Sequence, residues 1–261
     1  MDLNLEGKTA VVCGSTQGIG WATACELAEM GATILLVARS EEKLKQKVEE
    51  LKSISARSHG YLAADFNEPD VLRQKINDWA KENTANILVN NTGGPPAGLA
   101  IEADVQEYLT AFSQHLICNQ ILATELVEGM KKSGYGRIVN VISTSVKQPL
   151  PNLGVSNTVR GAVANWSKTL ANELGQFNIT VNNVLPGATA TSRLDGIVAN
   201  KMKKTGKSEE EVRKQMASAS PMKRVAQPEE VANAISFLAS PAASYINGIN
   251  IPVDGGRTGC L

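Results

Sequence analysis

The stretch with the clearest chemical content is Cys13-Gly14-Ser15-Thr16-Gln17-Gly18-Ile19-Gly20, which follows a short apolar run and opens a helical pattern. Its glycines permit a tight turn and close backbone approach, so that amide N–H groups and a helix start can face a pyrophosphate. Gly14, Ser15, Gln17, Gly18, Ile19 and Gly20 are the candidate contacts. The second apolar run ends in Val37-Ala38-Arg39-Ser40. A free ribose 2′-hydroxyl asks for an acid at such a tip, whereas a 2′-phosphate asks for a cation. Arg39 offers a charge-assisted fork with no acid at the tip, which favours NADP(H) over NAD(H); an exposed strand-end arginine is the plain alternative.

These residues need elements to position them. TAVVCG, ATILLVA, HGYLAA, ANILVN, GRIVNVIS, ITVNNVLP and INGINIPVD read as strands. Helical patterns over 19–30, from 41 onwards, and over 71–81, 105–132, 153–171 and 229–239 alternate with them. Such alternation builds βαβ units, whose crossovers force a parallel sheet. The expectation is an α/β chain: one domain over 1–261, a Rossmann-like, doubly wound parallel sheet with helices on both faces. Residues 192–220 are charged, helical in propensity and inserted between a strand and the next helix. Their plain reading is a solvated surface helix; their position favours a lid over a substrate.

Basic and acidic side chains balance at 26 each, so no net field favours nucleic acid or an anionic membrane. Cys13, Cys25, Cys118 and Cys260 are widely spaced with no CxxC pattern, which fits reduced thiols and offers no metal site. No basic leader precedes an apolar stretch, and no apolar run approaches the roughly 18 residues of a membrane span. A soluble, cytoplasmic protein without nucleic-acid or membrane partners is expected.

Taken together, these features resemble the short-chain dehydrogenase/reductase family along essentially the whole chain, most nearly its 3-oxoacyl-acyl-carrier-protein reductase type. CGSTQGIG is similar to the family's TGxxxGIG, with Cys13 for threonine, and NNTG at 90–93 is close to its NNAG. GRIVNVIS, ITVNNVLPGATAT, QPEEVANAISFLAS and INGINIPVDGG follow in the family's order. The resemblance implies that Asp65 contacts adenine, that Asn91 and Gly93 belong to the cofactor site, and that Pro186, Gly187 and Thr191 hold the carboxamide end. It also implies a homotetramer, built partly through the helix over 153–171 and the segment INGINIPVDGGRTGCL.

Catalysis in that family uses a tyrosine to exchange the proton and a lysine to lower its pKa and hold the nicotinamide ribose. A serine orients the substrate oxygen, and an upstream asparagine keeps a relay water in place. Ser143 falls on the serine position. Counting in register puts Ser156 where the tyrosine belongs, Arg160 where the lysine belongs and His115 where the asparagine belongs. Asn119 stands one turn further on the same helical face. None of Tyr61, Tyr108, Tyr135 and Tyr245 has a lysine four positions on, so the chain contains no YxxxK.

A serine hydroxyl is a far weaker acid than a phenol near pKa ~10, and its oxygen lies closer to the backbone. Arg160 keeps a positive charge that can bind ribose hydroxyls or phosphate, but it stays protonated. His115, with an intrinsic pKa of about 6.5, and Lys147, able to stabilise an oxyanion, are the remaining catalytic candidates. A structural histidine and a solvated loop lysine are their plain readings. Three functions stay open: an NADP(H)-dependent oxidoreductase of carbonyl or hydroxyl substrates, including acyl thioesters, with an altered proton donor; a redox-inactive nucleotide-binding regulatory or partner subunit; and a non-redox lyase or isomerase using Ser143, His115 and Lys147.

Overall fold

The computed structural model describes residues 1–260; Leu261, which ends the C-terminal segment, lies outside the described residues. The chain runs β1 (Thr9–Cys13), α1 (Gly18–Glu29), β2 (Thr33–Ala38), α2 (Glu41–Ile54), β3 (Gly60–Ala63), α3 (Pro69–Glu82) and β4 (Ile87–Asn90). It continues with α4 (Val105–Phe112), α5 (Cys118–Ser133), β5 (Gly136–Val141), α6 (Gly154–Leu174), β6 (Ile179–Pro186), α7 (Ser192–Thr205), α8 (Glu209–Ser218), α9 (Pro228–Ala239) and β7 (Asn250–Val253). The strands pair in parallel in the order β3-β2-β1-β4-β5-β6-β7. All seven expected strands are present.

Strand side chains alternate between faces, and both faces are buried, which is why the strands read as continuous apolar runs. Ala10, Val12, Ile34 and Leu36 pack with Leu27, Leu44, Leu51, Val231 and Ile235, so α1, α2 and α9 cover one face. Val11, Cys13, Leu35 and Val37 pack with Leu72, Ile76, Ile121, Leu122 and Ala171, so α3, α5 and α6 cover the other. Residues 192–220 fold as two helices, α7 and α8, the second opened by a reciprocal Ser208–Glu211 capping box. The helix expected over 105–132 is not continuous: a π-helical turn at Ser113–Ile117 separates α4 from α5.

Four strands carry an asparagine at one level. Asn90 pairs in register with Asn140, Asn140 with Asn183, and Asn183 with Asn250. Their amides form a ladder: Asn90 Nδ2 donates to Asn140 Oδ1 (2.8 Å), Asn140 Nδ2 to Asn183 Oδ1 (3.0 Å), and Asn183 Nδ2 to Asn250 Oδ1 (2.8 Å). Asn140 Nδ2 also donates to Ser167 Oγ on α6 at 3.1 Å. Asn140 is fully buried, so an apolar replacement strands several polar groups away from water, each at a cost of about 1–3 kcal/mol. Asn140→Leu is expected to lower unfolding free energy by about 3 kcal/mol or more in urea titrations; a change below about 1 kcal/mol would show that the ladder adds little.

Candidate active site

The turn after β1 lies where the sheet order reverses, with β2 on one side of β1 and β4 on the other, the usual place for a ligand in such sheets. Gly14 has φ +59°, and a Cβ there would stand 2.6 Å from the Asn91 carbonyl oxygen. A Cβ on Gly20 would strike the Gly14 carbonyl. The Asn91 side-chain amide donates to the Cys13 and Gly14 carbonyls at 3.3 and 3.4 Å, tying the end of β4 to the turn. Ser15 is buried and donates to the Val37 carbonyl at 3.4 Å, tying the turn to the end of β2. Arg39 is exposed just beyond.

Gln17 N-caps α1 in extended conformation with no side chain bonded to the helix start. The leading N–H groups of α1 and a cradle that any Cβ would fill therefore suit a pyrophosphate. Thr191, the N-cap of α7, lies close enough that its Cγ2 would be 3.0 Å from a Cβ on Gly18, which carries the 186–191 segment to the same turn. Asp65 follows β3, and its Oδ1 accepts the backbone and side-chain N–H groups of Asn67, both at 2.9 Å. Burial pushes the Cys13 thiol up to about 12, so this substitution leaves no thiolate at the turn.

The residues expected to be catalytic gather where β5 ends. Ser156 and Arg160 are both buried on α6, four residues apart and therefore on one face. Arg160 Nη1 donates to the Val141 carbonyl at 3.0 Å, two residues before Ser143. Ser143 Oγ accepts the Ser145 N–H at 3.1 Å, which leaves its own O–H to donate. His115 lies in the π-helical turn, 1% exposed, with Nδ1 2.6 Å from Thr92 Oγ1. Its Nε2 and the Oδ1 of buried Asn119 have no hydrogen-bond partner among the described residues. Lys147 ends the short 3-10 turn Thr144–Val146, and its carbonyl accepts the Cys260 thiol at 3.6 Å, which ties this loop to the C-terminal segment.

One residue in this group was not among those expected from the sequence. Arg193, in the first turn of α7, donates from Nη1 to the Gly94 carbonyl (2.7 Å) and from Nη2 to the Pro95 carbonyl (3.1 Å). It thereby clasps residues 192–205 to the loop that follows Asn91 and Gly93. The doublet Gly93-Gly94 was the available hint: a Cβ on Gly94 would lie 2.7 Å from Arg193 Nη2 and 3.5 Å from Arg160 Nη2. Further along, α8 and the end of β7 border a cavity of about 260 Å³ lined by Ala188, Met216, Ser220, Pro252 and Asp254. Ser143, His115, Ser156 and Arg160 do not line it.

Charge in this group is unusual. Burial, then the nearby Arg193, lowers the Arg160 pKa to about 10, so the guanidinium stays cationic at neutral pH. Arg193 is exposed overall, but desolvation of its head lowers its pKa too. Burial, then Arg160 and Arg193, pushes the His115 imidazole down to about 2. An imidazole held neutral acts as a hydrogen-bonding group, and not as the imidazolium acid that an intrinsic pKa of about 6.5 suggests.

That depression links to stability. Unfolded chains take up a proton at His115 below pH ~6.5 while the folded protein does not, so folding stability falls as pH drops through that value, by about 1.4 kcal/mol per unit. His115→Asn is expected to lose about 2 kcal/mol less than wild type between pH 7 and pH 5 in denaturant titrations. Equal losses would show that His115 protonates freely in the folded protein.

The sequence profile of the family described as enoyl-(acyl carrier protein) reductase matches residues 14–258. The chain is 32% identical over 253 residues to the NADPH-dependent reductase BacG of Bacillus subtilis, covering 95% of this chain and 97% of that protein. It is 31% identical over 259 residues to the 3-oxoacyl-[acyl-carrier-protein] reductase FabG of Aquifex aeolicus, covering 98% and 99%. The crystal structure of L-sorbose reductase from Gluconobacter frateurii, complexed with NADPH and L-sorbose, superposes with a TM-score of 0.94 at 33% identity over 100% of both chains. With its fold, its glycine turn and these matches spanning nearly every residue, the chain belongs to the short-chain dehydrogenase/reductase family.

Proposed function

We propose that this protein is an NADPH-dependent reductase of a carbonyl group on a small molecule, with 3-oxoacyl thioesters among the candidate substrates. The observation that carries this reading is the closure of Gly14 and Gly20 against Asn91, which leaves backbone N–H groups and the start of α1 facing the place of a pyrophosphate. Gly14, Ser15, Gln17, Gly18, Ile19 and Gly20 would hold that group, and Arg39 the 2′-phosphate. Asp65 would meet the adenine, while Asn91, Gly93, Pro186, Gly187 and Thr191 would serve the nicotinamide half. The NADPH dependence of BacG and the NADPH bound to L-sorbose reductase support this choice of cofactor.

Bound NADPH supplies hydride to a carbonyl carbon; the chain must then manage the oxygen. Ser143 can donate its free O–H to that oxygen. The Arg160 cation lowers the cost of negative charge beside it, a task open to arginine even though proton relay is not. His115 orients as a neutral partner of Thr92, and Ser156 lacks the reach and acidity of a phenol. Lys147, on the loop beyond Ser143, would be a second cation near that oxygen. We read 192–220 as the lid, held shut by the Arg193 clasp on Gly94 and Pro95. Exposed Val105, Leu109 and Phe112 on α4 support assembly of several copies. No helix among the described residues is long and apolar enough to cross a membrane.

The loss of YxxxK favours one other reading, a nucleotide-binding subunit without turnover. Both are tested by following NADPH consumption with 3-oxoacyl thioesters and small ketones, comparing wild type with Ser156→Tyr/Arg160→Lys. Wild-type consumption is expected; consumption only by the double variant would mean a native role other than this reduction, and product without net cofactor change would indicate a lyase or isomerase. In binding titrations, Arg39→Ala is expected to raise the Kd for NADPH about tenfold and leave NADH unaffected. Equal effects on both cofactors would remove Arg39 from the 2′-phosphate site.

A further inference from the structure

The guanidiniums of Arg160 and Arg193 converge on one point. Both Nη2 atoms lie within 3.5 Å of where a Cβ on Gly94 would stand. Neither arginine pairs with an Asp or Glu among the described residues. Like charges brought this close need a counter-ion, and bidentate arginines match the planar oxygens of a carboxylate or the oxygens of a phosphate.

Another buried arginine shows what a purely structural solution looks like in the same fold. Arg137, 1% exposed, donates to the carbonyls of Gly136 (2.8 Å), Asn178 (3.2 Å) and Ser240 (3.4 Å) and stacks on the Tyr135 ring at 4.1 Å. Arg160, 7% exposed, has one carbonyl among the described residues, Val141, for five N–H donors. Arg193 spends two donors on Gly94 and Pro95 and keeps the remainder. The Nε2 of 99%-buried His115, which feels both arginines, has no hydrogen-bond partner among the described residues either.

We propose that Arg160 and Arg193 form an oxoanion site for the substrate, so that the molecule reduced carries a carboxylate or phosphate within a few bonds of its carbonyl. This rests on the reductase reading and narrows its substrate. The substrate, not the cofactor, is assigned because Gly94 and Pro95 lie beyond the Asn91–Gly93 cofactor turn, and because Arg193 belongs to the proposed lid. A lid whose cation meets the anion of the substrate is held more firmly when that substrate is bound, and it ties recognition to exclusion of water.

The test is calorimetric binding to the full-length protein, with and without saturating NADP+, after the Kd for NADPH has been measured. Three probe pairs are used: 2-oxobutanoate and 4-oxopentanoate, each against its methyl ester, and dihydroxyacetone phosphate against dihydroxyacetone. In wild type the anionic member of at least one pair is expected to bind about tenfold tighter or better, as two charge-assisted contacts predict. Preference in the acid pairs identifies a carboxylate; preference in the third pair identifies a phosphate. Arg193→Met is expected to bring both members within about twofold, and Arg193→Lys, which keeps the charge and the clasp's reach, to retain part of the preference. Equal binding within every pair, or no binding of either member, overturns the proposal even when NADPH binds normally. So does a preference that survives Arg193→Met, or an Arg193→Met variant that loses NADPH affinity while keeping the preference, which would assign the arginines to cofactor phosphates. Failure of NADPH to bind wild type is a separate result: it overturns the reductase reading, while the series without NADP+ still decides the anion site.

Discussion

Register between four parallel strands is the constraint on which the rest of this structure hangs, and the asparagine ladder enforces it. A strand that slips by one residue turns its side chains to the opposite face, and in a sheet buried on both sides hydrophobicity alone discriminates weakly against such a slip. Asn90, Asn140, Asn183 and Asn250 supply a polar criterion, because only one register lets each amide meet the next. The chemistry sits immediately above that level. Asn91 follows Asn90, Val141 and Ser143 follow Asn140, Pro186 and Gly187 follow Asn183, and Asp254 follows Asn250. The ladder thus sets the relative heights of the loops that build the site.

On that platform the two halves of the proposed site, one for nucleotide and one for catalysis, obey different physics. The nucleotide half is made of backbone: close approach of Gly14, Gly20 and Asn91 excludes side chains and leaves N–H groups. The catalytic half is made of cations. Where the family resemblance implies a phenol and an ammonium, this chain buries the guanidinium of Arg160 and brings that of Arg193 to it from α7. Burial holds His115 neutral first, and the two cations add to it, since a third positive charge there would face both in a desolvated space.

Much of this was legible in the sequence, and the reasons differ by feature. All seven strands and both coverings of the sheet followed from apolar runs alternating with helical periodicity, because the central strands here are buried on two faces. The glycine turn and Arg39 were legible because their chemistry is local. Lost to sequence reading was whatever depends on distance in the chain: Arg193 meets Gly94 across 99 residues, and no periodicity announces that pairing. His115 looked like an acid because its intrinsic pKa is a property of the residue, whereas its actual state is set by neighbours on other elements. The break in 105–132 was also invisible, since its residues, SQHLI, carry neither proline nor glycine.

That break has a geometric meaning of its own. A regular helix advances about 100° in azimuth per residue, and a wide π turn absorbs one residue without that rotation. Upstream of it, Ala111 faces Val155 and Val159 on α6; downstream, Ile121, Leu122 and Leu126 face the sheet. Those two orientations are phased to one another by a single surplus residue. Shortening the segment by one would give a better-formed helix and a worse protein, with the apolar stripe of α5 swung about 100° off the sheet. The number of residues between Phe112 and Cys118 therefore sets the phase between α4 and α5.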